Sequence, residues 1–298
     1  MYQPLIKGIV GYLVTPFDDS GIDVPVLHQM IDRLLQSGVH AIAPLGSTGE
    51  AAYLTDQEWN TVATETCRRV AGRVPTIIGI AEVSTAAAMD KARLSEEAGA
   101  DAIMVLPVSY WSITDAEIEA HFKAIAGASA LPIMGYNNPG TSGTDMSPEL
   151  ICKMFHEIDN FQMIKESSGD LERMKKISDL SSGKLPFYNG CNPLAHEAFS
   201  VGASGWCTAA ANLIPDLNIQ LYECHDSDDP EAAAEIFEKQ VPVLECIMKK
   251  SLPATVKAGL QSLGVPAGSP RLPLHPLNPQ AVEELEQLLK TVTDPIQS

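Results

Sequence analysis

His40-Ala-Ile-Ala-Pro-Leu45, Gly46-Ser-Thr-Gly-Glu50, an amphipathic stretch over residues 56–71 and then Pro75-Thr-Ile-Ile-Gly-Ile80 make one complete unit of this chain. A short apolar run of strand length meets a polar turn, a segment of helix length follows, and a second apolar run returns. The unit recurs. Further apolar runs stand at 8–14, 102–106, 132–136, 161–165, 186–189 and 205–208, with helix-like segments at 24–37, 86–98, 114–126, 147–155 and 171–181. Runs that are apolar on both faces and separated by helices imply a parallel sheet covered by helices. Eight such runs predict an α/β protein whose residues 1–212 form a closed (β/α)8 TIM barrel. An open doubly wound sheet usually carries a Gly-x-Gly-x-x-Gly loop after its first strand, and none is present. Beyond residue 212 the alternation stops. Helical patterns at 215–250, 254–263 and 277–293, joined by a Pro-rich stretch at 266–279, predict a C-terminal helical extension over 213–298 that packs on the barrel or on a neighbouring subunit.

Composition narrows the function classes. The chain has 298 residues, 45% of them hydrophobic, with 20 basic against 38 acidic side chains and a formal net charge of -18. That charge opposes partners held by phosphate neutralisation, so nucleic acid and anionic membranes are excluded as expected partners. No apolar run nears the ~20 residues needed to span a bilayer, and Met1-Tyr-Gln-Pro-Leu-Ile-Lys7 lacks the form of a signal peptide. Cys67, Cys152, Cys191, Cys207, Cys224 and Cys246 show no C-x-x-C pairing or His at metal-ligand spacing. A cytoplasmic protein with reduced thiols is expected, Cys191 and Cys207 being notable for lying near strand ends.

In a barrel of this kind chemistry sits where strands end and βα loops begin. Gly46-Ser-Thr-Gly-Glu50 follows the second run, and its hydroxyls and backbone N–H groups suit a carboxylate or phosphate; an ordinary βα turn with Ser as helix cap is the plainer reading. Tyr136 ends the fifth run, as a catalytic phenol or an amphipathic plug. Lys165 ends the sixth. Burial at a barrel mouth favours a neutral amine, the nucleophile that Schiff-base chemistry on a 2-oxo acid requires; the alternative is an ion pair with Glu166 or Glu50. No strand end supplies a His and carboxylate set, so no metal and no cofactor are expected.

With Thr15-Pro-Phe17, Gly46-Ser-Thr-Gly-Glu50, Tyr136-Asn-Asn-Pro139, Lys165-Glu-Ser-Ser-Gly-Asp170 and the helical C-terminus, the chain resembles the dihydrodipicolinate synthase / N-acetylneuraminate lyase family of class I aldolases over essentially its whole length. The resemblance implies that Lys165 forms an imine with pyruvate or a larger 2-oxo acid, that Tyr136 is the acid/base, and that Ser47 and Thr48 hold the substrate carboxylate, Ser47 also relaying protons. Tyr110 matches a second tyrosine that completes the relay, commonly across a tight dimer interface, within a dimer of dimers. Gly49, Ser167, Gly190, Asn192 and Thr208 are the remaining expected substrate contacts. Two departures bear on substrate. Dihydrodipicolinate synthases usually carry an arginine where this chain has Thr141, and sialic acid lyases an acidic pair where it has Cys191-Asn192. Histidines of feedback-regulated synthases are replaced by Asp56 and Trp59, so no inhibition by lysine is expected. The principal reading is a Schiff-base lyase that cleaves, condenses or dehydrates a 2-oxo acid. Condensation of pyruvate with aspartate semialdehyde is the alternative, and a catalytically silent barrel that binds a 2-oxo acid is a further one.

Overall fold

Strand period two is what builds the site. The computed structural model describes residues 6–293, so residues 1–5 and 294–298, the outer edges of the two expected units, lie outside the described residues. Eight strands, β1 (Gly8–Tyr12), β2 (Ala41–Ala43), β3 (Ile77–Ile80), β4 (Ala102–Val105), β5 (Ile133–Asn137), β6 (Phe161–Glu166), β7 (Phe187–Asn189) and β8 (Gly205–Thr208), fall on the eight apolar runs. All pair in parallel, in the order β2-β1-β8-β7-β6-β5-β4-β3. An Ile42–Thr76 bridge and the Gly79 N–H to Pro44 carbonyl hydrogen bond of 3.2 Å bring β2 to β3 and close the barrel.

Successive side chains on each strand point to opposite faces. One set (Val10, Tyr12, Met104, Met134, Tyr136, Met163, Tyr188 and Cys207 among them) fills the barrel interior. The other, including Ile9, Ile42, Ile103, Ile133 and Ile164, packs under the helices. Those helices are α1 (Val24–Ser37), α2 (Asp56–Val70), α3 (Thr85–Glu97), α4 (Asp115–Ala126), α5 (Pro148–Glu157), α6 (Leu171–Leu180) and the short α7 (Ala195–Ser200). Capping boxes at Thr55/Glu58 and Thr114/Glu117 start α2 and α4, and Ser147 followed by Pro148 starts α5.

The extension comprises α8 (Pro215–Asp226), α9 (Pro230–Lys249), α10 (Leu252–Ser262) and α11 (Pro279–Thr293). Residues 215–250 are therefore two helices rather than one. Asp229 accepts from the Ala232 N–H at 3.1 Å and Pro230 lacks an N–H to continue α8, so the chain must restart there. The short elements that lie outside the repeat as read from the sequence include α7 and a hairpin pairing Phe17–Asp18 with Gly21–Ile22. Neither is long enough to show a period.

Candidate active site

Tyr136 and Lys165 are register partners on β5 and β6, both on the inward face, one step beyond Met134 and Met163. Lys165 is buried, and its Nζ lies 3.8 Å from the centroid of the Tyr136 ring and 4.2 Å from that of Tyr12 on β1. Neither carboxylate that competed for it in the sequence holds it. Glu166, the next residue on the strand, points to the opposite face, where Asn137 Nδ2 and the Ser168 N–H donate to it at 3.0 and 2.6 Å and Arg173 lies 3.9 Å away. Glu50 pairs with Lys257 at 2.6 Å. The amine therefore faces two aromatic rings and an open cavity, with neither of those carboxylates as its partner.

The two phenols beside it are driven apart. Burial alone raises the Tyr136 phenol, but the Lys165 charge and hydrogen bonds with Asn138, Lys165 and Ser47 outweigh it and set it below the ordinary tyrosine value. Asn138 Nδ2 donates to the Tyr136 hydroxyl at 2.8 Å. Burial, with further contributions from Cys207 and Tyr136, holds the Tyr12 phenol well above that value, and its hydroxyl donates to Met104 Sδ at 2.9 Å. The two phenols therefore differ in how readily they ionise, Tyr136 more readily than an ordinary tyrosine and Tyr12 less. Burial also raises the thiols of Cys191 and Cys207, which disfavours the thiolate at both.

The Gly46–Glu50 turn is bracketed by two left-handed non-glycine residues, Leu45 (φ 62°) and Glu50 (φ 57°). Strain of that kind persists only where the surroundings enforce it. The Gly49 N–H donates to the Gly46 carbonyl at 3.0 Å, Thr15 Oγ1 donates to the Gly49 carbonyl at 2.6 Å, and the Arg271 N–H donates to Glu50 Oε2 at 2.6 Å. Gly79 on β3 is required here, since a Cβ at that position would collide with the Leu45 carbonyl.

A single cavity of about 460 Å³ gathers Ser47, Thr48, Tyr136, Lys165, Ser167, Gly190 and Asn192. The Ser167 hydroxyl is buried in it without a hydrogen-bond partner among the described residues. Three expected contacts are not on its wall. Gly49 is packed against the backbone of Leu45 and Leu13, where a side chain has no room. Thr208 lies one layer behind, its Oγ1 donating at 3.0 Å to Asn192 Oδ1, which it holds in place. Tyr110 is 88% exposed and stacks edge-on against Trp111, away from Tyr136 within this chain. Sequence reading missed Tyr12, Asn138 and the residues Met248, Leu252 and Pro253 that the extension adds to the rim. Tyr12 and Asn138 were findable, one as the inward tip of the first run and the other within the quoted Tyr-Asn-Asn-Pro segment.

Gly190 offers a direct test of this geometry. A Cβ there would overlap Ser167 Oγ and Lys165 Cε. Gly190→Ala is expected to lower kcat/KM by about 100-fold through a displaced amine while leaving far-UV circular dichroism unchanged.

The whole-chain comparison agrees with the site. Residues 5–292 match the model of the dihydrodipicolinate synthetase family. The chain belongs to the dihydrodipicolinate synthetase family. It is 32% identical over 287 residues to the 4-hydroxy-tetrahydrodipicolinate synthase of Methanopyrus kandleri, covering 96% of this chain and 94% of the relative. The Bacillus subtilis enzyme of the same name is 35% identical over 266 residues, covering 89% and 92%. Among solved structures, a Pseudomonas aeruginosa protein provisionally assigned as a dihydrodipicolinate synthetase superposes with a TM-score of 0.95 at 51% identity, covering 96% of this chain and 99% of that one. Membership of the dihydrodipicolinate synthetase family makes this chain a Schiff-base lyase of the aldolase type on a TIM barrel.

Proposed function

We propose that Lys165 forms an imine with C2 of pyruvate, or of a larger 2-oxo acid, and that the enzyme makes or breaks the C3–C4 bond of that acid. Nζ adds to the C2 carbonyl and water leaves. Loss of a C3 proton, or cleavage of C3–C4, yields the enamine. In the condensing direction C3 attacks an aldehyde carbon, the carbonyl electron pair becomes an alkoxide, and Tyr136 supplies its proton; water then releases the product from Lys165. In this reading the N–H groups and hydroxyls of Ser47 and Thr48, with the Ser167 hydroxyl, hold the substrate carboxylate, supported by their presence on the wall and the unpartnered Ser167 Oγ. The observation that carries this reading is the buried Lys165 amine between two rings, beside a phenol lowered by it and apart from every carboxylate that competed for it. Borohydride reduction in the presence of pyruvate, read by intact mass, tests it; the absence of a covalent adduct defeats it.

Tyr136→Phe removes the proton donor but leaves the amine. Its kcat is expected to fall by about 100-fold with imine trapping partly retained, and an unchanged kcat removes Tyr136 from the mechanism.

A second reading, condensation of pyruvate with aspartate semialdehyde, is favoured by the names of the curated relatives. Thr141 stands on the pocket wall where that reaction is expected to use an arginine. A coupled assay with both substrates separates the two readings. Tyr110 enters either one only through a second copy of the chain, which makes a dimer, and a dimer of dimers by resemblance, part of this proposal. An active monomer by gel filtration would remove Tyr110 from the relay.

A further inference from the structure

With the pyruvate unit held by Lys165, Ser47, Thr48 and Ser167 as proposed above, the remainder of the cavity wall, its outer half, is left for the other reactant. Besides the residues assigned above to the pyruvate unit, Asn138, Thr141 and Cys191 line the cavity, as do Met248, Leu252 and Pro253. The last three come from the elbow where α9 ends and α10 begins, so the helical extension supplies an apolar rim to the barrel mouth. Met248 is 49% exposed, a flexible thioether free to close on an apolar group.

Charge decides what can bind there. Lys165 is the only charged side chain among the described residues of the wall. The cations nearest in sequence to the rim pair with carboxylates, Lys249 with Glu245 at 2.6 Å and Lys250 with Glu284 at 2.9 Å, and Lys91, in the adjoining cavity that shares Ser47 and Thr141, pairs with Glu82. Arg173 is paired with Asp145 at 2.5 Å and Arg271 with Glu58 at 2.6 Å. A carboxylate entering the outer half would lose hydration without gaining a counter-ion, whereas an alkyl group would cover Met248, Leu252 and Pro253. We infer that the second reactant is an uncharged aldehyde with a short apolar tail, selected by the rim formed from Thr141, Met248, Leu252 and Pro253. This rests on the Schiff-base reading above and adds the class of acceptor.

The test compares kcat/KM for butanal, glyceraldehyde and aspartate semialdehyde, each with pyruvate, alongside borohydride trapping of pyruvate alone. Butanal is expected to exceed both others by about tenfold or more, the discrimination that a few apolar contacts provide. Thr141→Arg is expected to shift the ratio toward aspartate semialdehyde by about tenfold, and Met248→Ser to shift it away from butanal by about fivefold. Preference of the wild-type enzyme for either polar aldehyde, or pyruvate trapping with no turnover of butanal, overturns the inference and leaves the Schiff base standing. Failure to trap pyruvate at all overturns both, a signature that the aldehyde ratios cannot mimic.

Discussion

Lys165→Ala is expected to abolish the borohydride-trapped pyruvate adduct and to lower turnover by about four orders of magnitude or more, because no other amine among the described residues lines the cavity to form the imine. The same substitution is expected to leave the thermal midpoint unchanged or slightly higher. Lys165 is buried, yet Glu50 and Glu166 both have other partners, so its removal strands no counter-charge. A buried amine held for chemistry is a group whose loss costs function rather than stability. Adduct formation that persists in Lys165→Ala would place the imine on another lysine. A large fall in midpoint would instead mark Lys165 as part of the scaffold.

Lys257→Ala should show the opposite pattern, a structural collapse that carries activity with it. Lys257 on α10 and Glu50 in the substrate turn are both fully buried and pair at 2.6 Å, with Lys257 Nζ also donating to the Ser269 carbonyl at 3.1 Å and lying 4.2 Å from the centre of the Phe17 ring. Burial pulls the Lys257 amine below its ordinary value, and Glu50 works against that shift. Removing one member of a buried pair leaves the other uncompensated, which costs about 3–5 kcal/mol. At about 2 °C per kcal/mol for a chain of this size, the thermal midpoint falls by about 6–10 °C. The double variant Glu50→Gln/Lys257→Met removes both charges and is expected to recover much of that loss. Its activity need not follow, because Glu50 also receives the Arg271 N–H and so fastens the end of the strained Ser47–Thr48 turn. A single variant as stable as the wild type would show that the pair is not what ties the extension to the barrel.

These two lysines mark where local reading succeeds and where it stops. Lys165 closes an apolar run, and the pleat puts it on the same face as Met163 and opposite to Glu166, while the register with β5 sets it beside Tyr136. The same rule sends Glu166 to the outer face, so one of its two competing ion pairs was already answerable from the pleat. The other was not. Glu50 and Lys257 are separated by more than two hundred residues, and nothing local says that an extension helix delivers a cation beneath the second βα turn. Tyr110 illustrates the converse: a residue placed at the site by resemblance stands exposed in the single chain, and the role proposed for it requires a second copy.

The sequence by itself determined the barrel, through eight apolar runs and their intervening helices, and it set Tyr136, Lys165 and the Ser47–Thr48 turn at strand ends while leaving a structural reading open beside the catalytic one for each. Each of these depends on the order of neighbouring residues, which backbone geometry converts directly into a face or a turn. Only the tertiary structure decided that Lys165 sits between two rings, that Gly49 and Thr208 support the pocket from behind its wall, and that Met248, Leu252 and Pro253 form its rim. Those facts depend on how the extension docks on the barrel, and docking is set by the complementarity of whole packed surfaces, which no local period encodes.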